Sequence, residues 1–423
     1  MTPETFTNTV RGALKSSLHQ LGSKPLTRRV ASVMGIRASR GADVGVANVD
    51  LPGTYIAYFG DGADKIYQLA MWLPVLDSVH EKHGVLLVFR TLSAFKAAKK
   101  LTNLPMVYVR RFASLMDIYD DNFFRLVIYV NNSRANFQSL EHPRLVHVHV
   151  NHGESDKLSM VSNKAKAYDK VFVAGPAAIA RHEAMLIDFD LQKLVVTGRP
   201  QLDIDFAPEI ESSDSFDVMY APTWEGENED NNYTSLDKYG ETIVDSLLRD
   251  PRVRLIYKPH PRVERSNTPG VAAAHAAIME KIRSENSRGA KHVVEEQGNI
   301  LAMFESIDAL ITDVSSVGLD FLYLHASKPL ILTDRRSHIG RLHRDAPVSK
   351  ACRVIDEKNV RELDRLLGEA LHEDGFRGER ESMRKFYFGD LQRGDSTKRF
   401  QEVLEALVTQ RNEQLKHYRQ WHA

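Results

Sequence analysis

One histidine stands directly after a strand-like apolar run near the middle of the chain. The run Leu145–Val150 is followed by Asn151, His152 and Gly153, so the imidazole is expected at a strand end. A neutral imidazole in that position is suited to take a proton from an attacking hydroxyl group. Gly153 permits a tight turn or the close approach of a ligand. From this segment alone, a catalytic base and a structural loop histidine are equally supported.

A second motif, Lys258-Pro259-His260-Pro261-Arg262, places three potential cations at the end of another apolar run. Its two prolines stiffen the turn and restrict the residues that precede them. Fixed cations offset the negative charge of phosphate oxygens. The motif therefore favours a diphosphate-binding turn over a plain basic surface.

A third segment, Asp313-Val314-Ser315-Ser316, lies between a strand-like run and an apolar helix predicted at 317–325. Hydroxyl groups at a helix start cap the unpaired amides, and the same amides and helix dipole also hold phosphate. The two roles are compatible. The segment therefore predicts a capped helix whose N-terminus is available to an anion.

Other well-known catalytic signatures are missing. The sequence contains no HExxH, no GxSxG and no Walker loop. His338 and His343 are five residues apart, which is not a standard metal-ligand spacing. We interpret the acidic loop Glu225–Asp230 as solvated rather than metal-binding. The sequence thus predicts neither a metal site nor another cofactor.

The elements that position these motifs are short apolar runs separated by helix-length segments. Such runs, rich in β-branched and aromatic residues, are typical of buried parallel strands. Two consecutive series of this kind predict an α/β protein with two doubly wound, Rossmann-like halves. The runs are Thr54–Phe59, Val85–Arg90, Met106–Val109, Arg125–Val130, Leu145–Val150, Lys170–Ala174, Leu194–Thr197, Phe216–Ala221, Val253–Lys258, His292–Val294, Ala309–Thr312 and Pro329–Thr333.

The expected domain boundary is the stretch Gln201–Asp217, which carries Pro208 and six acids without an apolar period. It predicts an N-terminal domain at 1–205 and a C-terminal domain at 212–395. Helical spacing of apolar residues predicts a closing helix within 396–423. Ligands of open α/β sheets lie beyond the carboxyl ends of the strands. A cleft between two such domains is therefore expected to bring two substrates together.

The composition excludes several classes of protein. The hydrophobic content is 43% and the charged content 26%, as in globular proteins. Lys plus Arg (56) equals Asp plus Glu (56), so no nucleic-acid partner is indicated. The single Cys352 cannot form an intrachain disulfide and fits a reducing compartment. We expect a protein on the cytoplasmic side of the membrane.

Basic residues are concentrated in two segments. Residues 1–41 hold seven basic side chains and one acid, Glu4, with apolar residues at helical spacing. This predicts a basic helix that either lies on an anionic membrane or packs on its own domain. The second segment has no acid, and its basic residues are Arg90, Lys96, Lys99, Lys100, Arg110 and Arg111.

Taken together and in order, six segments resemble the CDP-glycerol glycerophosphotransferase family, the teichoic-acid and capsule polymerases. They span roughly residues 145–400 of the chain. The matching segments are His152-Gly153, Gly198-Arg199-Pro200, Tyr220-Ala221-Pro222-Thr223-Trp224, Lys258-Pro259-His260-Pro261, Asp313-Val314-Ser315-Ser316 and Gly394-Asp395-Ser396 with Arg399.

This resemblance implies a GT-B fold with an acceptor-side N-terminal domain and a nucleotide-binding C-terminal domain. It implies metal-independent transfer of glycerol phosphate, or a related polyol phosphate, from a CDP-polyol to a hydroxyl of a lipid-linked or polymer acceptor. CMP would be released at the inner face of the cell membrane. By family position His152 would be the catalytic base, and His260 would support the transferred phosphate. The remaining substrate-binding and nucleotide-binding residues would be Gly153, Thr223, Lys258, Arg262, Asp313, Ser315, Ser316, Ser396 and Arg399.

The sequence departs from the family pattern in three places. The family usually has Gly-Tyr-Pro-Arg-Asn-Asp at 198–203, Tyr at Val314, and Thr-Pro-hydrophobic-Lys at 154–157.

Two other functions remain open on the residues alone. One is a sugar-nucleotide glycosyltransferase or epimerase of the same fold. The other is a non-catalytic nucleotide-binding component of an assembly that makes an envelope polymer.

Overall fold

The computed structural model describes residues 55–421. The chain divides into two compact units. The first contains the residues up to His152 together with those from Leu404 onward, and the second contains Gly153–Val403. The boundaries predicted from sequence at 205–212 and at 396 remain predictions about domains.

The described residues form strands and helices that alternate along most of the chain. The strands are β1 (Tyr55–Phe59), β2 (Val85–Phe89), β3 (Met106–Tyr108), β4 (Leu126–Tyr129), β5 (Val146–His149), β6 (Lys170–Val173), β7 (Leu194–Val196), β8 (Phe216–Ala221), β9 (Val253–Tyr257), β10 (Val293–Val294), β11 (Ala309–Thr312), β12 (Leu330–Thr333) and β13 (Arg353–Ile355).

The helices begin with α1 (Ile66–Ala70), α2 (Leu73–His83), α3 (Leu92–Ala98), α4 (Phe112–Asp121), α5 (Phe137–Leu140), α6 (Pro176–Met185) and α7 (Glu241–Arg249). They continue with α8 (Pro269–Ser287), α9 (Ile300–Met303), α10 (Ser316–Leu324), α11 (Ile339–Asp345), α12 (Leu363–His372), α13 (Arg377–Phe388) and α14 (Asp395–Trp421).

The first unit is built on five parallel strands in the order β3-β2-β1-β4-β5. Strands β1 and β2 consist entirely of buried residues. Such continuous apolar strands arise where both faces of a parallel sheet are covered by helices. The carboxyl ends of these strands consequently share one edge of the sheet.

The second unit contains the parallel pair β6–β7 and a sheet of six parallel strands in the order β10-β9-β8-β11-β12-β13. Along β8, Val218 and Tyr220 join one apolar cluster while Met219 and Ala221 join another. Side chains alternate between the two faces of a strand, so both faces of this sheet are buried. Both units thus have the doubly wound α/β architecture predicted from the sequence.

The basic helix predicted within residues 1–41 lies outside the described residues. The predicted closing helix is present as α14, and the apolar helix predicted at 317–325 is present as α10. No helix among residues 55–421 combines the length and the apolar content needed to cross a membrane.

Candidate functional site in the second unit

The second sheet has a topological switch point between β8 and β11. These strands are neighbours, but β8 leads to β9 on one side and β11 leads to β12 on the other. Loops diverge at such a point and leave a crevice in which ligands of open α/β sheets bind. The two loops here begin at Pro222 and Asp313.

Asp313 organises the switch point. Its carboxylate is fully buried and accepts hydrogen bonds from the backbone amide of Thr223 at 2.7 Å and the backbone amide of Ser235 at 3.2 Å. The hydroxyl of Thr333 also donates to it, at 2.5 Å. Burial raises the pKa of Asp313, and the hydrogen bonds from Thr333 and Ser235 oppose that shift. Asp313 thereby ties together the ends of β8, β11 and β12.

Helix α10 begins immediately after this aspartate. Ser315 precedes it with extended backbone angles of φ −159° and ψ 173°, and its side chain makes no capping hydrogen bond. The Ser315 hydroxyl oxygen is buried, and it has no hydrogen-bond partner among the described residues. The first amides of a helix have no partner within the helix, and together with the dipole they favour an anion. This helix start has the chemistry of a phosphate site.

Gly153 packs directly against the start of α10. A Cβ atom at this position would lie 3.0 Å from Cβ of Ser316 and 3.2 Å from its hydroxyl oxygen. Only a residue without a side chain fits here without displacing Ser316. The glycine of the His152-Gly153 motif is therefore explained by this close approach.

Lys157 adds a cation to the same region. Its ammonium group donates to the hydroxyl of Thr223 at 3.1 Å and lies 5.7 Å from the centre of the Tyr233 ring. Burial lowers its pKa to about 8, while the charge of Asp313 acts in the opposite direction. The sequence-based site did not include Lys157. The only sequence signal for Lys157 was that the family's Thr-Pro-hydrophobic-Lys pattern at 154–157 also ends in lysine.

A buried ionic cluster fixes the loop that carries Lys157. The Arg181 guanidinium, on α6, contacts Glu154 at 2.6 Å and Asp156 at 2.7 Å. The Tyr387 hydroxyl, on α13, also donates to Asp156. Burial raises the pKa of Asp156 to about 6, against the lowering influence of Arg181. The two acids that replace the family's Thr-Pro-hydrophobic pattern thus have partners inside the protein.

The three basic side chains of the 258–262 motif contact different groups. Lys258 is buried, and its ammonium group donates to the backbone carbonyl of Glu296 at 3.2 Å. Burial lowers the pKa of Lys258. The Arg262 guanidinium carbon lies 4.3 Å from the centre of the Trp224 ring. The centre of the His260 ring lies 6.2 Å from the centre of the same Trp224 ring. The backbone amide of His260 donates to the Pro222 carbonyl at 3.1 Å, which places this turn beside the end of β8.

The remaining predicted residues of this unit, Ser396 and Arg399, contact residues near the end of β7. The Arg199 amide donates to the hydroxyl of the fully buried Ser396 at 3.2 Å. The Arg199 guanidinium forms a buried pair with Asp320 of α10, with Nη1 3.0 Å from Oδ1. Arg399 is exposed and donates to the carbonyl of Val196 at 2.7 Å. In these positions Ser396 and Arg399 bind protein groups, and their contact with a nucleotide remains a prediction.

His152 belongs to the first unit, at the carboxyl end of β5. It is half-buried, its backbone amide donates a hydrogen bond to the Asn151 side-chain carbonyl at 2.9 Å, and its ring lies edge-on to Tyr67, with the ring centres 6.0 Å apart. Asn151 has a positive φ of 54° and its carbonyl accepts a hydrogen bond from the Trp72 indole at 2.6 Å. A left-handed asparagine at the strand end turns the chain sharply, and the turn presents the histidine at the sheet edge as the sequence predicted.

The acidic loop after Trp224 is held by protein groups. Glu225 accepts hydrogen bonds from the hydroxyls of Ser266 at 2.5 Å and Thr268 at 3.1 Å. Arg336 donates to the Asp230 carbonyl at 2.7 Å. Across the described residues no group of three or more His, Cys, Asp or Glu side chains has an arrangement suited to a metal ion.

Solved structures share this architecture at low sequence identity, and the fold class that they define is the GT-B type of α/β fold. The wall teichoic acid polymerase TagF soaked with CDPG matches with a TM-score of 0.51 and 13% identity, covering 97% of this chain and 99% of that chain. UDP-GlcNAc 2-epimerase from Neisseria meningitidis bound to UDP-GlcNAc matches with a TM-score of 0.54 and 11% identity, covering 83% and 99%. The S. aureus MnaA–UDP structure matches with a TM-score of 0.54 and 13% identity, covering 84% and 97%.

A similarity to a known family is found in the sequence. Residues 128–335 match the family described as CDP-Glycerol:Poly(glycerophosphate) glycerophosphotransferase. The matched region is just under half of the chain; in this region the sequence is similar to the CDP-glycerol glycerophosphotransferases, and the similarity supports an enzyme of that glycerophosphotransferase class. The matched region includes His152, Lys157, the 258–262 turn and the start of α10. No curated protein matches the chain closely enough in sequence to count as a relative.

Proposed function

We propose that this protein transfers glycerol phosphate, or a closely related polyol phosphate, from a CDP-polyol to a hydroxyl group of a lipid-linked or polymeric acceptor. The product would extend a polymer of the teichoic-acid or capsule type, and CMP would be released. One observation carries the proposal. The start of α10, with the unbonded Ser315 hydroxyl, lies beside the Lys157–Thr223 contact within the region that the family model matches.

The second unit holds the donor in this proposal. Backbone amides at the start of α10 and the Lys157 ammonium bind the diphosphate oxygens, because both supply positive charge at a fixed position. His260 and Arg262 lie on the neighbouring turn after β9 and serve the phosphate that is transferred. The Asp313 carboxylate does not face the phosphate as a ligand; it holds the loops in position through its three hydrogen bonds.

The chemical step is a displacement at phosphorus. The acceptor hydroxyl oxygen attacks the phosphorus that carries the polyol, and a new P–O bond forms. The bond from that phosphorus to the bridging oxygen breaks, and its electron pair leaves with CMP. His152 accepts the proton of the attacking hydroxyl as the oxygen bonds to phosphorus. The fixed positive groups stabilise the charge that develops on the phosphate oxygens.

The proposal is tested by measuring nucleotide release from purified protein. CDP-glycerol, CDP-ribitol and UDP-sugars would be supplied separately with a synthetic lipid-linked acceptor. We expect CMP release that requires the acceptor and one CDP-polyol. Release of a uridine nucleotide would assign the protein to sugar transfer or epimerisation, and binding of CDP without any turnover would favour a non-catalytic component.

A further inference from the structure

The first sheet also has a topological switch point, between β1 and β4. These strands are neighbours, but β1 leads to β2 on one side and β4 leads to β5 on the other. The loops that leave this point carry Asp61, directly after Gly60, and Asn131. A Cβ atom at Gly60 would lie 2.4 Å from Cβ of Ala135, so the two loops pack closely against each other. The proposed mechanism uses neither Asp61 nor Asn131.

Asn131 links the two loops. It is 4% exposed, and its side-chain nitrogen donates to Asp61 at 2.8 Å and to Gln68 at 2.9 Å. Its side-chain carbonyl oxygen is buried and has no hydrogen-bond partner among the described residues. Buried polar atoms are nearly always hydrogen-bonded, and leaving one unpaired is costly. This oxygen is therefore suited to accept a hydrogen bond from a ligand.

The Asp61 carboxylate determines what kind of ligand fits. Its side chain is 18% exposed and lies 3.6 Å from the Lys65 ammonium. An ionised carboxylate can only accept hydrogen bonds, and its negative charge repels a phosphate group. Asp61 and Gln68 both accept from the Asn131 nitrogen, which fixes the amide with its oxygen as the remaining acceptor. The cluster thus suits a neutral donor such as a hydroxyl group.

The same cluster lies next to the proposed base. The Gln68 side chain donates to the Tyr67 hydroxyl at 3.3 Å, and the Tyr67 ring lies edge-on to the His152 ring, with ring centres 6.0 Å apart. Asn131 and His152 follow β4 and β5, which pair directly. At ~4.8 Å for each strand spacing, the loops that carry Asp61 and His152 are roughly 10 Å apart along the sheet edge. A small ligand can therefore contact Asn131 and His152 together.

We propose that Asn131, held by Asp61 and Gln68, binds a hydroxyl group of the acceptor's terminal polyol. We call these three residues the hydroxyl subsite. The proposal rests on the proposed function, in which another hydroxyl of the same polyol attacks phosphorus and gives its proton to His152. The bound hydroxyl donates to the Asn131 side-chain carbonyl, and this contact holds the attacking hydroxyl at the base. An acceptor with a single hydroxyl on its last unit lacks the contact.

The test compares the binding of two synthetic soluble acceptors by calorimetry. One is a glycerol phosphate trimer linked through its primary hydroxyls. The other is the same trimer with its last glycerol replaced by a propanediol, which keeps the attacking primary hydroxyl and lacks only the secondary one. We expect the unaltered protein to bind the glycerol-ended trimer about 10–100-fold more tightly, because the other trimer leaves a buried acceptor unpaired.

Two substitutions should remove this preference. In Asn131→Ala and in Asp61→Asn the two trimers should bind within about twofold of each other, since the fixed acceptor is lost. The matched control is Glu81→Gln, which alters an exposed carboxylate of α2 in the same unit and should keep the full preference. CDP affinity and the thermal unfolding curve of each variant show whether it is folded. The comparison of the two trimers on the unaltered protein needs no substitution.

Equal binding of the two trimers by the unaltered protein, or binding of neither, would overturn the inference. So would an undiminished preference in Asn131→Ala. CMP release with the glycerol-ended trimer reports on the proposed function separately. A preference that depends on Asn131, without CMP release from any CDP-polyol, would reject the transfer activity and leave the hydroxyl subsite. CMP release with the same KM for both trimers would leave the activity and reject the hydroxyl subsite.

Discussion

The two units use the same local strand order but differ at the switch point of each sheet. In the first unit Asn131, after β4, donates to Asp61 after β1 at 2.8 Å and to Gln68 at 2.9 Å. In the second, the loops after β8 and β11 are joined by Asp313, next to a helix start without a side-chain cap and next to Lys157. One switch point is occupied by side-chain amide and carboxylate groups that bond to each other. The other has an uncapped helix start and a buried lysine, which are groups that can bind an anion.

This difference indicates that topology alone does not make a nucleotide site. Both sheets have a crevice of the type in which ligands bind, but only the second has the chemistry for phosphate. We therefore expect the second unit to determine donor affinity, and the first to contribute the proton acceptor. The following four changes test that division of roles, beginning with the largest expected effect.

Replacing His152 with alanine should separate catalysis from binding. A general base contributes about 10²–10⁴-fold to a rate, so CMP release should fall by roughly a thousandfold while CDP affinity changes less than about twofold. Steady-state rates and calorimetric titration with CDP measure the two quantities. His83→Ala, in the same unit, is the control and should retain its rate. Ordinary turnover by His152→Ala would show that another group accepts the proton.

Lys157→Met should weaken CDP binding by about 10–100-fold, since a hydrogen bond to a charged group contributes ~1.5–3 kcal/mol. Lys157→Arg should restore part of the affinity. The matched control is Lys238→Met, because the Lys238 ammonium binds the carbonyl of Arg335 elsewhere in the second unit. Unchanged CDP affinity in Lys157→Met would remove this residue from the donor site.

The affinity for CDP should also depend on pH through Lys157. Burial lowers the pKa of its ammonium group to about 8, and only the charged form attracts phosphate. The affinity should therefore be greatest below pH 8 and fall about tenfold between pH 7 and pH 9, as the fraction of charged Lys157 falls. The same titration on Lys157→Met should show little change over this range. An equal pH dependence in both proteins would assign the titration to another group.

Asn131→Ala tests the first switch point and should have the smallest effect on the donor. Loss of its hydrogen bonds to Asp61 and Gln68 should lower the free energy of unfolding by about 1–3 kcal/mol, measured by urea denaturation. CDP affinity should stay within about twofold. A large loss of CDP binding without a matching loss of stability would place the donor at the first unit instead.

The sequence was informative about strands because buried parallel strands are nearly continuous apolar runs. It missed β13, a three-residue strand in which only Ile355 is fully buried and Arg353 and Val354 are partly exposed. It located Thr223, Asp313 and Ser316 at strand or helix ends, and the strand order then brought their loops together. That order depends on packing between distant segments and leaves no local pattern.

Side-chain direction was the harder part of the site. Lys157 reaches Thr223 because its loop is fixed by Arg181 and Tyr387, which are distant in sequence. Lys258 and Ser396 had equally favourable positions by sequence, but their polar groups bind Glu296 and Arg199 within the protein. Residue type and strand-end position predict a candidate; the partner of its polar atom depends on tertiary structure.

The division of roles between the two switch points is tested most directly by hydrogen exchange of backbone amides with and without CDP-glycerol. Exchange should slow at residues 222–226 and 315–319, where the loop after β8 and the start of α10 would hold the donor. It should be unchanged at residues 60–68 and 131–138. Protection of 60–68 and 131–138, with none at the start of α10, would contradict the assignment of the donor to the second unit.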